Sequence, residues 1–325
     1  MELDVVLYEE LFDLTNTQIN KILEKALLQK GIVGVKNVPD FERKSAEYVS
    51  AARHFSALPE KIKQSYAPDR ELGDTEGYEL GAERFKKKNG EWQIDDNKAS
   101  YYAFVPDRAQ NKWPAEVDLK TAYLTLGELI FHTGKQILDR VGLNDQNGLK
   151  HEDMVGYGRM LHYHKVDDAT YENLDWCGGH FDHGVFTGLM PAYYFHNGIP
   201  VAEPAEAGLY IMPSHSDQYE KFDAADKSIL LFQVGEFGQL LSDDKIRATR
   251  HRVQKAQGEI ERFTFALFYS ASNETRVRST SVLTEDDRYK SNQQEDGSMT
   301  YDEWQISSYA RYRAVTSLID KKSSS

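Results

Sequence analysis

Between Val155 and Ala271 the chain is written in short runs of β-branched and aromatic residues, separated by Gly, Pro, Asn or Asp. No other feature limits the possible fold as strongly. Gly158 to His164, Ala207 to Ile211, Ser228 to Val234 and Arg262 to Tyr269 are such runs. Many short strands with turn signals between them predict a sandwich or barrel.

The half before residue 150 reads differently. Ile19, Ile22, Leu23, Ala26 and Leu27 recur at helical spacing over 17–29, with Asn16 or Thr17 as N-cap and Gly31 just beyond the end. Gly31 to Val35 reads as a strand, and 43–66 as a second helix interrupted at Pro59. Residues 67–115 form a polar excursion, basic at Lys86-Lys87-Lys88, in which Tyr101, Tyr102 and Phe104 mark a strand. The clearest helix spans 119–141, where Ala122, Leu126, Leu129, Ile130, Thr133, Ile137 and Val141 share a face, and Gly142 stops it. After residue 275 the chain is polar, with an amphipathic segment around 301–319 and a tail, Lys321 to Ser325, expected to be disordered.

Composition removes several function classes. A formal net charge of -13 argues against nucleic acid or an anionic membrane as partner, since both reward basic patches. Cys177 is the only cysteine, so an intramolecular disulfide and a Cys-rich zinc site are both excluded. The first residues, MELDVVLYEELFDL, lack a basic region and carry acids among the apolar residues, unlike a signal peptide. No stretch approaches the ~18 apolar residues of a membrane span. The expectation is a soluble, cytoplasmic protein acting on a small molecule, with the oligomeric state open.

The chemistry is concentrated in Gly178-Gly179-His180-Phe181-Asp182-His183-Gly184, followed by the apolar run Val185 to Leu189. Residues two apart on a strand point to the same face, so His180 and Asp182 can bind one metal ion together. Two histidines and one carboxylate leave adjacent octahedral positions open, the arrangement suited to iron(II) oxygen chemistry. Chance has to be weighed, because with ten histidines roughly one accidental His-x-Asp is expected. A second pair, His215-Ser216-Asp217, lies in the polar stretch Pro213 to Glu220 and reads as a solvated turn. Leu240 to Lys245 reads as a strand closed by a turn, and His251-Arg252-Val253 follows. Further on, Arg262 and Thr264 share one face of an apolar strand while Phe263 and Phe265 take the other. A buried guanidinium beside a hydroxyl needs an anion, and a carboxylate fits that fork in bidentate fashion. An ordinary buried ion pair is the competing explanation.

The order His-x-Asp, His-Arg, Arg-x-Thr resembles the 2-oxoglutarate/iron(II)-dependent dioxygenase superfamily, with most likeness to the isopenicillin N synthase and plant flavonoid/gibberellin dioxygenase branch. Leu241 to Val253 is similar to that branch's Leu-Ser-Asn-Gly turn and its His-Arg-Val. Gly31 to Asn37, Phe55 to Lys63 and Asn111-Lys112-Trp113-Pro114 resemble its N-terminal strand, helix end and Asn-x-Trp-Pro. The likeness runs over about residues 5 to 270.

It implies a mixed α/β, mainly β fold with a double-stranded β-helix (jelly-roll) core over 151–275. An N-terminal helical and strand region (1–150) would pack on that core, and a C-terminal segment (276–325) would add a helix. It also implies iron(II) held by His180, Asp182 and His251, with 2-oxoglutarate and dioxygen as cosubstrates and Arg262 and Thr264 gripping the far carboxylate. The implied reaction oxidises a C–H bond of a small molecule, by hydroxylation, desaturation or cyclisation, and releases succinate and carbon dioxide. An oxidase of the isopenicillin N synthase kind, or a jelly-roll binding protein without turnover, keeps the same motifs. The sequence departs from the family in three places. Where the family has Asn-x-Tyr-Pro, the matching residues are His162-Tyr163-His164-Lys165, whose two imidazoles are expected to reach the cosubstrate. A cupin-like His-x-His metal pair is the alternative there, but no suitably spaced Glu follows. Pro191 to Asp223 is an insertion expected to form a lid or substrate loop. With 67–115 and the C-terminal segment, it is expected to line the pocket. Arg-x-Thr stands in place of the commoner Arg-x-Ser and keeps the hydroxyl. Cys177 is expected to be a small buried or entry-loop residue and not a ligand.

Overall fold

The computed structural model describes residues 2–81, 84–86, 92–94, 96–145, 148–165, 175–222, 224 and 226–312. The expected disordered tail and Lys87-Lys88 lie outside them.

The first half supplies helices α1 (Gln18–Gln29), α2 (Phe41–Ser56), α3 (Glu60–Gln64) and α4 (Leu119–Arg140). Its strands are β1 (Val5–Leu7), β2 (Ile32–Lys36), β3 (Gly77–Leu80), a hairpin of β4 (Arg84–Lys86) with β5 (Trp92–Ile94), and β6 (Lys98–Val105). The second half begins with β7 (Val155–Tyr163), β8 (Asp175–His180), β9 (Phe186–Leu189), β10 (Tyr193–His196) and β11 (Ile199–Val201). It continues with β12 (Gly208–Met212), β13 (Glu220–Lys221), β14 (Leu230–Val234), β15 (Arg250–Gln254) and β16 (Ile260–Ser270). A short helix, α5 (Glu236–Leu241), leaves β14, and the C-terminal part holds the pair β17 (Arg276–Val277) and β18 (Met299–Thr300) with α6 (Asp287–Lys290) and α7 (Tyr301–Tyr312).

Two sheets result. The large one is ten-stranded, in the order β1-β2-β14-β9-β16-β7-β6-β3, with the β10–β11 hairpin added alongside β16. All its pairs are antiparallel except β1 with β2. The small sheet is four-stranded, β13-β12-β15-β8. The helices of the first half cover one face of the large sheet, and alternation decides what meets them. Phe263, Phe265 and Leu267 of β16 enter the helix-facing core with Met160 of β7 and Phe232 of β14. The opposite face meets the small sheet through two apolar clusters. Leu161, Trp176, Tyr194 and Val253 lie in one, and Ile32, Leu209, Ile211 and Leu231 in the other.

Close approach of α4 to the sheet needs glycine at Gly188, where a Cβ would sit 2.2 Å from Ile130 Cγ2. Leu240-Leu241, expected as strand, is instead the end of α5, and the turn follows it, with Asp243 and Asp244 at positive φ. A short apolar run between turn residues has no period that separates strand from helix. The 191–223 insertion is also more ordered than a detached loop, since it supplies β10 and β11 to the large sheet and β12 and β13 to the small one.

Candidate metal and cosubstrate site

A cavity opens between the sheets, and its walls come from both. From the large sheet come Arg159, Leu161 and Tyr163 of β7, Thr187 of β9, Gln233 of β14, and Arg262, Thr264, Ala266 and Phe268 of β16. From the small sheet come Cys177 and His180 of β8 and His251 and Val253 of β15.

At its centre His180, Asp182 and His251 present ligand atoms all within 4.8 Å of one another. Asp182 Oδ1 is 3.7 Å from His180 Nε2 and 3.9 Å from His251 Nε2. The two histidines are opposite partners across the antiparallel β8–β15 ladder, their ring centroids 4.3 Å apart. β8 ends at His180, so Asp182 lies just beyond the strand and not on it as the alternation suggested. The chain there is fixed by backbone bonds in which Glu236 N–H donates to the Asp182 carbonyl at 2.8 Å and Gly235 N–H to that of Val185 at 3.1 Å. Gly235 is required because a Cβ would meet the Gly184 carbonyl at 2.2 Å.

The groups around the triad orient it for a cation. His180 Nδ1 lies 2.8 Å from the Gly178 carbonyl and His251 Nδ1 3.0 Å from that of Thr249. Each carbonyl can only accept, so each Nδ1 carries its hydrogen and each Nε2 is the nitrogen that can meet a metal, that of His251 lying 3.2 Å from Gln233 Nε2. Asp182 Oδ2 accepts from Thr187 Oγ1 at 2.7 Å and Gln233 Nε2 at 2.6 Å, which leaves Oδ1 turned to the histidines. Burial disfavours charge on Asp182, but the two imidazoles and these donors outweigh it and hold the carboxyl below its usual range. Burial, with His180 alongside, pushes His251 down to about 4, so it is neutral. For His180 burial acts the same way, but Cys177 (Sγ 3.8 Å from Nδ1), Asp182 and the Gly178 carbonyl outweigh it and hold the imidazole up at about 9. The donor set fits a divalent cation that takes nitrogen and oxygen ligands.

Arg262 enters the same cavity and is 6% exposed. Its Nε donates to Tyr194 Oη at 3.3 Å, and the guanidinium lies 5.0 Å from the centroid of the Tyr163 ring. Its Nη1 is buried without a partner, and no ion pair with a described carboxylate is formed. A buried guanidinium with a free edge fits an anionic ligand from outside the chain. Thr264 stands beside it, its hydroxyl donating to the Met190 carbonyl at 2.6 Å.

His162 and His164 do not join this site. Leu161 and Tyr163 are the β7 side chains that face the cavity, while His162 stacks on Phe263 on the helix-covered side, ring centroids 4.1 Å apart. The motif match is one residue out of register, and a one-residue shift exchanges the faces of a strand. With Leu161-His162-Tyr163-His164 set against Asn-x-Tyr-Pro, the tyrosine coincides with Tyr163. Burial pushes the Tyr163 hydroxyl up to about 12, leaving it a neutral donor. His215 and Asp217 are exposed in a turn. Cys177 is half-buried at the cavity wall. The insertion does reach the cavity, through Pro191, Ala192 and Glu203, but no described residue of 67–115 or of the C-terminal segment lines it. Gln233, missed in the sequence, has a signal there as the lone amide in Ile229 to Val234.

No family model matches the chain, and no curated protein matches its sequence. Solved structures do match its shape, and together they define its fold as that of the 2-oxoglutarate/iron(II) oxygenases. A full-length Neurospora crassa protein, solved in complex with alpha-KG, is similar with a TM-score of 0.71 at 18% identity, over 95% of this chain and 96% of that one. The dioxygenase for auxin oxidation from rice matches with a TM-score of 0.66 at 17% identity, over 96% and 97%. JOX2, in complex with 2OG, Fe and JA, gives a TM-score of 0.68 at 17% identity, over 94% and 84%.

Proposed function

We propose that the protein is an iron(II)- and 2-oxoglutarate-dependent oxygenase with a jelly-roll core, which oxidises a C–H bond of a small molecule and releases succinate and carbon dioxide. One observation carries the reading beyond the fold, namely that the buried guanidinium of Arg262, with its Nη1 left without a partner, lines the cavity that holds the His180, Asp182 and His251 donors. The Neurospora crassa protein has also been crystallised with alpha-KG and thymine, and JOX2 with 2OG, Fe and JA, so neighbours in shape bind a keto acid together with a small organic molecule.

Each residue then has a definite task. His180, Asp182 and His251 would hold iron(II), which when bound supplies the redox chemistry that joins dioxygen to the keto acid and the substrate. Arg262 pairs with the far carboxylate of 2-oxoglutarate, and the Tyr163 hydroxyl can donate to the same group, while Thr264, its own hydrogen given to the Met190 carbonyl, lines the pocket beside it. Thr187 and Gln233 hold Oδ2 of Asp182 and keep its Oδ1 turned to the histidines. Apolar side chains such as Leu189, Leu231, Val253 and Phe268 exclude water around the metal.

The same guanidinium can grip a carboxylate on the substrate itself, as in an oxidase that uses no 2-oxoglutarate. Turnover separates the two. With iron(II), ascorbate and a panel of small-molecule substrates, oxygen consumption that requires 2-oxoglutarate and is matched by succinate supports the proposal. Substrate-dependent oxygen consumption that is equal without 2-oxoglutarate, and yields no succinate, refutes it.

A further inference from the structure

Three polar side chains left over from the cavity converge on the opposite face of the large sheet. His162 Nε2 lies 3.3 Å from Glu261 Oε1, and the rings of His162 and His164 have centroids 4.2 Å apart. Their ligand atoms all fall within 4.8 Å of one another, and the Nε2 of His164 is buried without a hydrogen-bond partner. Strand geometry puts them together. His162 and His164 share a face of β7 and its continuation, and Glu261 stands one step beyond the last paired couple, Arg262 with Tyr163. The Glu that no short spacing provides therefore arrives from β16, across the ladder.

We propose that His162, His164 and Glu261 form a second divalent-cation site, suited to zinc(II), on the far side of the sheet from the oxygenase cavity. Tetrahedral zinc with bonds of roughly 2.0–2.1 Å separates its donors by about 3.3 Å, a spacing His162 Nε2 and Glu261 Oε1 already have, and the His164 ligand atom lies within 4.8 Å of both. Two imidazoles and one carboxylate with a water in the fourth position is an ordinary zinc donor set. Burial pushes both imidazoles down, His164 to about 4, so both offer lone pairs at neutral pH. Without a cation the cluster leaves a polar atom buried and unpaired.

The nearby cations have partners of their own. Lys63 pairs with Glu60 at 2.9 Å, and Arg53 lies over the Phe195 ring and donates to the Gly198 carbonyl at 3.0 Å. A bound cation would tie β7 to β16 directly behind Tyr163 and Arg262, and so brace the cosubstrate pocket from outside.

The test is zinc binding by equilibrium dialysis of metal-free protein, with metal analysis and thermal denaturation. A His180→Ala/Asp182→Ala double variant removes two of the three cavity donors and isolates the cluster. It should still bind one equivalent of zinc and gain Tm on zinc addition. Glu261→Gln or His164→Gln in that background should weaken binding at least tenfold and remove the Tm gain, with an unchanged near-ultraviolet circular dichroism spectrum as the folding control. The proposal is overturned if the double variant binds no zinc, or if its bound zinc is indifferent to both glutamine substitutions. The outcome is independent of the cavity reading. Wild type and double variant sharing one equivalent that Glu261→Gln removes would support the cluster and count against the triad. A single wild-type equivalent lost in the double variant would do the reverse.

Discussion

Arg262→Leu should separate cosubstrate binding from stability, and in opposite directions. The guanidinium is buried, donates one hydrogen bond to the uncharged Tyr194 hydroxyl, and leaves Nη1 without a partner. A charged hydrogen bond to a carboxylate is worth roughly 1.5–3 kcal/mol, so removing even one lowers 2-oxoglutarate affinity tenfold or more. The ligand-free protein loses something different. The substitution removes a buried charge that lacks a carboxylate partner, a relief worth several kcal/mol, against the loss of a desolvated ring contact to Tyr163 worth about 2 kcal/mol. The Tyr194 hydroxyl keeps its bond to Glu203 at 3.1 Å, so no new unsatisfied donor is left behind. Ligand-free Tm should therefore hold or rise, while the Tm gain produced by 2-oxoglutarate collapses. Calorimetric titration of the iron(II) protein under anaerobic conditions, beside scanning calorimetry of the metal-free form, measures both. A variant that binds 2-oxoglutarate as tightly as wild type, with the same thermal gain, would refute the reasoning.

Gln233→Leu removes the 2.6 Å bond to Asp182 Oδ2 and should lower iron(II) affinity roughly 10–100-fold with little change in fold, measured by chelator competition. His215→Ala with Asp217→Ala should leave iron stoichiometry at the wild-type value, checked by metal analysis, because that pair sits exposed in a turn. Metal affinity should rise with pH toward 9 and fall as pH drops, since His180, held up at about 9 without metal, must give up its proton to bind; titrations at successive pH values read the slope. Gly188→Val should destabilise the fold by about 1–3 kcal/mol or more in a denaturant melt, because its Cβ would stand 2.2 Å from Ile130 Cγ2.

Local pattern carried much of this molecule into view. Alternation correctly divides β16, placing Arg262 and Thr264 in the cavity and Phe263 and Phe265 in the core, since every residue there obeys the two-residue period. The same logic fails on β7 because the register was set by a motif and not by the strand's own apolar residues. Leu161 is cavity-facing but Met160 is core-facing, and an aromatic-rich strand buried on both sides gives no contrast between faces. The opposition of His180 and His251 depends on a ladder between strands separated by β9 to β14, which no local signal encodes. Glu261 escaped notice for the same reason, being far from His162 in sequence and adjacent in space. The strand assignment for Leu240-Leu241 failed because the N–H groups starting α5 are anchored on the Asp182–Gly184 turn, a tertiary contact.

The central claim is that one cavity holds iron(II) on His180, Asp182 and His251 and receives 2-oxoglutarate beside it. Anaerobic visible spectroscopy of the iron(II) protein tests this most directly. Adding 2-oxoglutarate to wild type should produce a weak metal-to-ligand charge-transfer band that saturates at one equivalent. The band should be absent in Asp182→Ala, and in Arg262→Leu it should appear only at tenfold or higher 2-oxoglutarate. A wild-type protein that binds iron(II) yet shows no band, or an Asp182→Ala protein that retains it, would contradict the account.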